Sequence, residues 1–211
     1  MRIDVWSDLV CPWCGIGAHR LDEALARFEH ADEVEVLHHH FELDPGALVG
    51  VTQPMLEMLQ ERYGADPGRA AAMCRQAEDA AAADGITPYH VADNMVGGTS
   101  LAHQMLALAA ERGLEDAAWR RLFRAYFGER RSIFDVDALV ELGEEIGLDG
   151  TEVRQVLDAG TYAEHVRADA RGSIRYGASG VPFFLIGGTH AVAGAQSADV
   201  LVAAMREAWE G

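Results

Sequence analysis

The sequence predicts an α/β protein in which one sheet is interrupted by a long helical insertion. The chain begins with a strand–helix–strand pattern, ends with a strand–strand–helix pattern, and shows helical periodicity between them. Because neither terminal segment holds a complete core, we expect both of them to contribute to one sheet. The predicted domains are residues 1–45 together with 177–211, and an inserted all-helical domain of residues 46–176.

Two strands and a helix are predicted at the start of the chain. Arg2–Trp6 and Val34–Phe41 have the β-branched and aromatic composition of strands. The helix is expected over Pro12–Phe28, since proline suits the first helical position, where a missing N–H costs nothing. Asp44-Pro45-Gly46 is a turn sequence and ends the second strand.

The insertion contains a series of amphipathic segments. Asp66 and Pro67 are suited to cap a helix and to begin its first turn, and Gly147 is suited to end a later one. The predicted helices are Met55–Tyr63, Arg69–Ala83, Ser100–Arg112, Asp116–Phe127, Asp135–Ile146, Asp149–Leu157 and Tyr162–Tyr176.

The final segment returns to β structure before one last helix. Pro182–Ile186 predicts a strand, Gly187-Gly188 a hairpin turn, and Thr189–Ala193 the returning strand. Ser197 is a suitable N-cap for a helix that runs to Trp209.

Composition and charge restrict the classes of function. The chain has 211 residues and a formal net charge of −17, and its 17 basic residues include no lysine. A nucleic-acid-binding protein needs a basic face, which this sequence lacks, and acidic chains avoid anionic membranes. There is no long apolar run, and the first residues leave no room for a signal peptide. We therefore expect a soluble cytoplasmic protein without nucleic-acid or membrane partners.

Cys11-Pro12-Trp13-Cys14 is the most informative motif. It follows a predicted strand and opens a predicted helix, which is typical of reversible dithiol–disulfide exchange. A helix N-terminus stabilises a thiolate, so we expect Cys11 to be the exposed nucleophile and Cys14 the cysteine that resolves the intermediate. Half a zinc site and two ordinary buried thiols are the alternatives, although a structural zinc normally takes four ligands and only Cys74 remains.

Further motifs are spread over essentially the whole chain. They are Asp8-x-x-Cys11-Pro12-Trp13-Cys14, Phe41-Glu42-Leu43-Asp44-Pro45, Thr99-x-x-Ala102-His103, Asp135-x-Asp137-x-Leu139 with Gly147-Leu148-Asp149, and Gly180-Val181-Pro182-Phe183-Phe184 with Gly194-Ala195-Gln196. In combination they resemble the DsbA family of thioredoxin-like oxidoreductases, and its FrnE-like branch of cytoplasmic proteins in particular.

This resemblance implies a thioredoxin-like fold with a central mixed sheet, and a thiol–disulfide oxidoreductase that acts through a mixed disulfide. Cys11 and Cys14 would be catalytic. The implied substrate-binding residues are Pro12, Trp13, Val181 and Pro182. The resemblance further implies a cis Pro182 beside the cysteines, where the Val181 backbone can pair with an extended substrate. No metal and no tightly bound cofactor are implied, and the partner is a protein or small-molecule thiol or disulfide, such as glutathione.

The chain departs from the family pattern in two places. Gly15 stands where tyrosine is frequent, and Gly98 stands where asparagine is usual. Relatives of the 2-hydroxychromene-2-carboxylate isomerase and kappa-class glutathione transferase type share the architecture but carry serine at the first cysteine position. A glutathione-dependent isomerase or transferase acting on a small metabolite is therefore the alternative function. A redox sensor with a partner-binding helical domain is a third hypothesis.

Three other features give weaker indications. Cys74 lies in an alanine-rich helix and is expected to be a buried small apolar residue. His38-His39-His40 is interpreted as a strand with exposed edges, with metal binding as the minor alternative. His103 suits a structural helix start as well as a substrate contact.

Residues around the cysteine motif have two further candidate roles. Trp13, Phe41 and Phe183 are candidates to frame an apolar cleft, although each also suits a core position. Asp4 or Asp8 is a candidate to relay the proton of Cys14.

Overall fold

The computed structural model describes residues 1–178 and 180–211. Its strands are β1 Arg2–Ser7, β2 Glu35–His40, β3 Thr52–Pro54, β4 Met95–Gly97, β5 Phe183–Ile186 and β6 His190–Ala193. Its α-helices are α1 Pro12–Arg27, α2 Met55–Tyr63, α3 Pro67–Ala83, α4 Ser100–Glu111, α5 Glu115–Phe123, α6 Val136–Glu145, α7 Gly150–Ala159, α8 Ala163–Ile174 and α9 Ala198–Glu210. A short 3₁₀ helix spans Ala31–Glu33, and a π-helical turn spans Arg124–Gly128.

β1 lies in the interior of a four-stranded sheet with the strand order β2-β1-β5-β6. It runs parallel to β2 and antiparallel to β5, and Trp6 of β1 lies opposite Phe183 of β5. The parallel pair needs a crossover connection, which α1 supplies. β5 and β6 form a hairpin around Gly187 and Gly188, which have φ values of 62° and 75°. The predicted α/β class and mixed sheet are therefore confirmed.

The two faces of this sheet have different surroundings. Side chains of successive strand residues point to opposite faces, so Ile3 and Val5 share one face while Asp4 and Trp6 share the other. The core that the first face forms with α1 and α9 contains Ile3, Val5, Leu21, Ala24, Phe28, Phe184, Ile186, Ala198, Leu201, Val202 and Met205. On the second face, a smaller group that we call the Trp6 cluster consists of Trp6, Phe183 and Leu185, with Phe41, Ala178 and Val181 packed against it.

The inserted unit, Asp44–Val166, has its own core. Every residue of α4 from Leu101 to Ala109 is buried, so this helix lies at the centre of the unit. Asp66 accepts a hydrogen bond from the Arg69 backbone N–H at the start of α3, as the predicted cap requires. The inserted unit is therefore mainly helical, as the periodicity of its sequence predicts.

Two predictions about the insertion are wrong in detail. The unit is not all-helical, because β3 and β4 pair antiparallel with Thr52 opposite Gly97. Three-residue strands give no alternation that a sequence window can detect. A Cβ at Gly97 would lie 2.5 Å from the Val51 carbonyl oxygen, so this close pairing requires glycine. The single helix predicted over 116–127 is divided, because α5 ends at Phe123 and the π-helical turn follows.

The C-terminal limit of the insertion also differs from the predicted one between residues 176 and 177. The structure divides the chain between Val166 and Arg167, so most of α8 belongs to the unit that contains the four-stranded sheet. The physical reason is that Asp169 of α8 hydrogen-bonds to the ring of His39 and to the backbone N–H of His40, both on β2. Such long-range bonds leave no local signal in the sequence.

Candidate active site

Cys11 and Cys14 lie at the start of α1, shortly after the end of β1. Cys11 is the N-cap residue, with φ −79° and ψ 113°, and Pro12 occupies the first helical position. The backbone N–H groups of Cys14 and Gly15 donate to the Cys11 carbonyl oxygen at 3.0 and 3.4 Å, which closes the first turn. The Cys11 sulfur is thus placed at the positive end of the helix dipole.

Both thiols are free and buried. Cys11 is 5% exposed and Cys14 is 0% exposed, so the prediction of an exposed Cys11 is wrong for this reduced form. The segment before β5 covers the sulfur, and Cys11 Sγ donates a hydrogen bond to the Val181 carbonyl oxygen at 3.6 Å.

Pro182 is held between two elements beside Cys11. The Val181–Pro182 peptide bond is cis, and the Pro182 carbonyl oxygen accepts a hydrogen bond from the Gly194 N–H at 2.8 Å. On the other side lies Gly17 of α1, where a Cβ atom would be 2.9 Å from Pro182 Cγ. Sequence reasoning missed Gly17, because the need for glycine comes from a residue far away in the chain.

Cys14 lies deeper in the protein and behaves differently from an ordinary thiol. Burial is the largest influence and raises the pKa of Cys14 well above its usual value, and the neighbouring Cys11 and the charge of Asp8 raise it further. Asp8 is only 1% exposed, and its Oδ2 accepts a hydrogen bond from the Leu43 N–H at 2.7 Å. At neutral pH Cys14 is therefore a protonated thiol with a buried carboxylate nearby.

The other residues predicted to contact a substrate or to frame a cleft lie in different surroundings. Pro12 and Trp13 are partly exposed in the first turn of α1. Phe41 and Phe183 meet in the Trp6 cluster, of which Trp13 is not a member among the described residues. The structure therefore brings together two of the three aromatic residues that were candidates for one cleft.

A charged cluster on the Trp6 face was not predicted. The two ring nitrogens of His39 hydrogen-bond to Asp4 Oδ1 at 2.8 Å and to Asp169 Oδ1 at 2.7 Å. Arg2 Nε donates to Asp4 Oδ2 at 2.9 Å. His40, in the same run, is 4% exposed, so the interpretation of this strand as one with exposed edges is wrong at that residue.

The remaining candidates, Cys74 and His103, belong to the inserted unit. Cys74 is 1% exposed in α3 and burial raises its pKa, which confirms the expectation of a buried apolar thiol. His103 is fully buried in α4, and its ring packs edge-to-face with Trp119. Within residues 1–178 and 180–211, no group of three or more His, Cys, Asp or Glu side chains is arranged to hold a metal ion. In the same residues no helix has the length and apolar character to cross a membrane.

Comparison with known proteins supports one family over the whole chain. The model of a family described as a DSBA-like thioredoxin domain matches residues 2–206. The protein YwbO of Bacillus subtilis, named as uncharacterized, is 29% identical over 208 residues, which cover 98% of this chain and 96% of YwbO.

Solved structures agree with that match. A probable DsbA oxidoreductase from Streptomyces coelicolor, SCO1869, is 44% identical with a TM-score of 0.94, covering 100% of this chain and 90% of that one. The cytosolic disulfide reductase DsbM from Pseudomonas aeruginosa is 25% identical with a TM-score of 0.53, covering 87% and 83%. A 2-hydroxychromene-2-carboxylate isomerase is 15% identical with a TM-score of 0.71, covering 98% and 95%, and at that identity it shows the fold alone.

Proposed function

Because this chain belongs to the DSBA-like thioredoxin domain family, we propose that it is a thiol–disulfide oxidoreductase that works through Cys11 and Cys14. The observation that carries the proposal is the position of Cys11 Sγ, at the N-terminus of α1 and 3.6 Å from the Val181 carbonyl oxygen. One sulfur thus lies beside a backbone segment that can pair with an extended substrate, while the other is buried behind it.

The proposed reaction proceeds through a mixed disulfide. In the oxidised protein, a substrate thiolate attacks Cys11 Sγ, the Cys11–Cys14 bond breaks, and Cys14 leaves with the electron pair and takes up a proton. A second substrate thiolate then attacks the substrate sulfur and releases Cys11 as a thiolate. Two substrate thiols become one disulfide, and the protein disulfide becomes two thiols. The reverse sequence reduces a substrate disulfide.

The raised pKa of Cys14 assigns the two sulfurs different tasks. Burial is its main cause, and it favours the protonated form of Cys14 once the internal disulfide has opened. When Cys14 has to attack the mixed disulfide, it must first lose this proton. We propose Asp8 as the acceptor, because its carboxylate is buried near Cys14 and acts on that sulfur electrostatically.

The substrate side of the proposal rests on the residues around Cys11. We propose that Pro12, Trp13, Val181 and Pro182 contact the substrate, since they flank the reactive sulfur in the chain or in space. The partner is a protein or small-molecule thiol or disulfide, with glutathione as a candidate, and no tightly bound cofactor is required. We also propose a cytoplasmic location and membership of the FrnE-like branch. The name of the DsbM relative, a cytosolic disulfide reductase, supports the location.

Three cysteine variants test this function. Wild-type protein equilibrated with reduced and oxidised glutathione should form an internal disulfide, with a potential between about −270 mV for a reductant and about −120 mV for an oxidant. Cys14→Ser should trap glutathione on Cys11, and Cys11→Ser should trap none, as measured by intact mass. Cys74→Ala is the matched control, because this thiol is buried in the inserted unit and should leave the exchange unchanged.

The same variants distinguish the proposed oxidoreductase from the alternative function. A glutathione-dependent isomerase or transferase needs no resolving cysteine, so its turnover would survive Cys14→Ser. Full turnover in that variant, or a wild-type protein that never forms the Cys11–Cys14 disulfide, would contradict the proposed oxidoreductase.

A further inference from the structure

Four charged side chains of alternating sign form a continuous chain on the Trp6 face of the sheet. Arg2 donates to Asp4, Asp4 binds one ring nitrogen of His39, and Asp169 binds the other. Asp4 is 3% exposed. The second oxygen of Asp169 accepts the His40 backbone N–H at 2.7 Å, so this carboxylate is held by two donors from β2. The cluster therefore joins β1, β2 and α8.

The geometry around His39 favours its doubly protonated form. A neutral imidazole has one N–H and one lone pair, so it can donate to only one of two carboxylates. Here both ring nitrogens lie within 2.8 Å of a carboxylate oxygen, and a lone pair at either position would face negative charge. Burial acts to lower the pKa of His39, but the hydrogen bonds from Asp169 and Asp4 outweigh it and raise that pKa. At pH values below that raised pKa, His39 is thus an imidazolium.

The imidazolium is connected to the cover of Cys11 through one indole. The ring of His39 stacks on Trp6, with centroids 4.3 Å apart and planes 12° apart. Trp6 also contacts Phe183, with centroids 5.8 Å apart, and Val181 packs against the same cluster. A cation stacked on an indole is attracted by the ring face. These contacts form a continuous path from His39 to the segment whose carbonyl accepts the hydrogen bond from Cys11.

We propose that His39 is a positioning residue for thiol exchange, which as an imidazolium fastens α8 to β1 and β2 and holds the Val181 carbonyl beside Cys11 Sγ. The proposal rests on the proposed function in taking Cys11 as the reacting sulfur. His39 itself exchanges no proton with the substrate. Its effect is on the position of Val181, and hence on how a substrate sulfur is aligned with Cys11.

We call the contacts of His39 with Asp4 and Asp169 the His39 clamp. The charged groups around His39 define the pH range in which this clamp is intact. They are Asp4 on β1, with Arg2 bound behind it, and Asp169 on α8, while the Trp6 ring covers one face of the imidazole and Tyr176 lies beyond that indole. Burial acts to raise the pKa of Asp169, but the hydrogen bond and charge of His39 lower it overall. The clamp is therefore lost in acid when Asp169 is protonated, and lost at high pH when His39 is deprotonated.

The first test measures the protonation state without using activity. Ring ¹⁵N NMR of wild-type protein, with His39 assigned by its loss in His39→Gln, should show two protonated ring nitrogens and a titration midpoint above about 6.5, the ordinary histidine value. Asp169→Asn should lower that midpoint. A neutral His39 ring at pH 6 would overturn the proposal whatever the protein's activity.

The second test measures positioning in the folded protein. Asp169→Asn removes one carboxylate charge, and Asp199→Asn is its matched control, since Asp199 is an exposed carboxylate paired with Arg27 in the same unit. The probe is oxidised glutathione, and the rate of its reaction with Cys11 is measured from pH 5 to 9. We expect Asp169→Asn to react about 10- to 100-fold more slowly near pH 6, as a displacement of about 1 Å at a reacting centre can cause. Asp199→Asn should react like wild type.

The ratio of the wild-type rate to the Asp169→Asn rate distinguishes a positioning role of His39 from an effect on stability alone. This ratio should approach one at pH values above the titration midpoint of His39, because the wild-type protein has then lost its imidazolium as well. The Gly194 N–H, which binds the Pro182 carbonyl, should exchange with solvent faster in Asp169→Asn. A variant that unfolds more easily but keeps the wild-type rate and Gly194 protection at every pH would show that His39 is only structural. Failure of the wild-type protein to react with the probe at all would instead refute the proposed function.

Discussion

Gly17→Ala tests how closely α1 approaches Pro182. In an exposed helix interior this substitution would stabilise the protein by about 1 kcal/mol, because alanine loses less backbone entropy than glycine. Here the new Cβ would lie 2.9 Å from Pro182 Cγ and 3.3 Å from Phe184 Cζ, closer than carbon atoms pack. Overpacking of this kind costs about 1–3 kcal/mol. The expected net effect is a destabilisation of about 0–2 kcal/mol.

The measurement is urea unfolding of the reduced protein, with Gly172→Ala as the matched control. Gly172 lies in α8 and has no atom within 4 Å of its Cβ position, so alanine there should stabilise by up to about 1 kcal/mol. Thiol exchange at Cys11 should also be slower in Gly17→Ala, because Pro182 and the adjoining Val181 have to move away from α1. If both glycine variants gain the same stability and keep the same exchange rate, the close approach of Pro182 to α1 does not constrain the site.

Three further outcomes are expected. Asp8→Asn should lower the pKa of Cys14, because a negative charge beside a buried thiol is removed. The pH dependence of Cys14 alkylation in a Cys11→Ser background measures this pKa. An unchanged alkylation midpoint would contradict the electrostatic role of Asp8. Phe184→Ala should destabilise by about 3–5 kcal/mol in urea unfolding, since a fully buried ring leaves a cavity; a loss below about 1 kcal/mol would show that the core repacks. The folded-state pKa of His39 is raised, so its contribution to the free energy of unfolding should be complete below about pH 6.5 and be lost as pH rises through the folded-state pKa. A pH-independent difference between wild type and His39→Gln would contradict that sign.

Features specified by neighbouring residues were predictable from the sequence. The Asp66 cap of α3, the glycine turn between β5 and β6, and the position of Pro12 in α1 follow from residues within a few positions of one another. The cysteine spacing likewise specifies the first turn of α1, because a strand end and a helix start flank it. These local rules, together with the family resemblance, were sufficient for the fold class.

Features that depend on distant residues were not predictable in this way. The burial of Cys11 arises from Val181, 170 residues later, and the charge on His39 arises from Asp169, 130 residues later. Neither partner has a local sequence signature, since a valine and an aspartate are ordinary at their positions. The requirement for glycine at position 17 has the same origin, because only the folded chain brings Pro182 against it.

The pairing of β1 with β5 has a consequence for how the protein is made. β1 and the two cysteines are synthesised before β5, and Val181, which precedes Pro182, is added 170 residues after Cys11. While those residues are being added, the Cys11 thiol lacks the Val181 carbonyl that covers it in the folded protein. Until β5 has left the ribosome and paired with β1, neither the Val181 carbonyl nor Pro182 lies beside the Cys11 sulfur. A chain whose translation stops before β5 therefore lacks the segment that covers Cys11 and leaves this thiol open to oxidation.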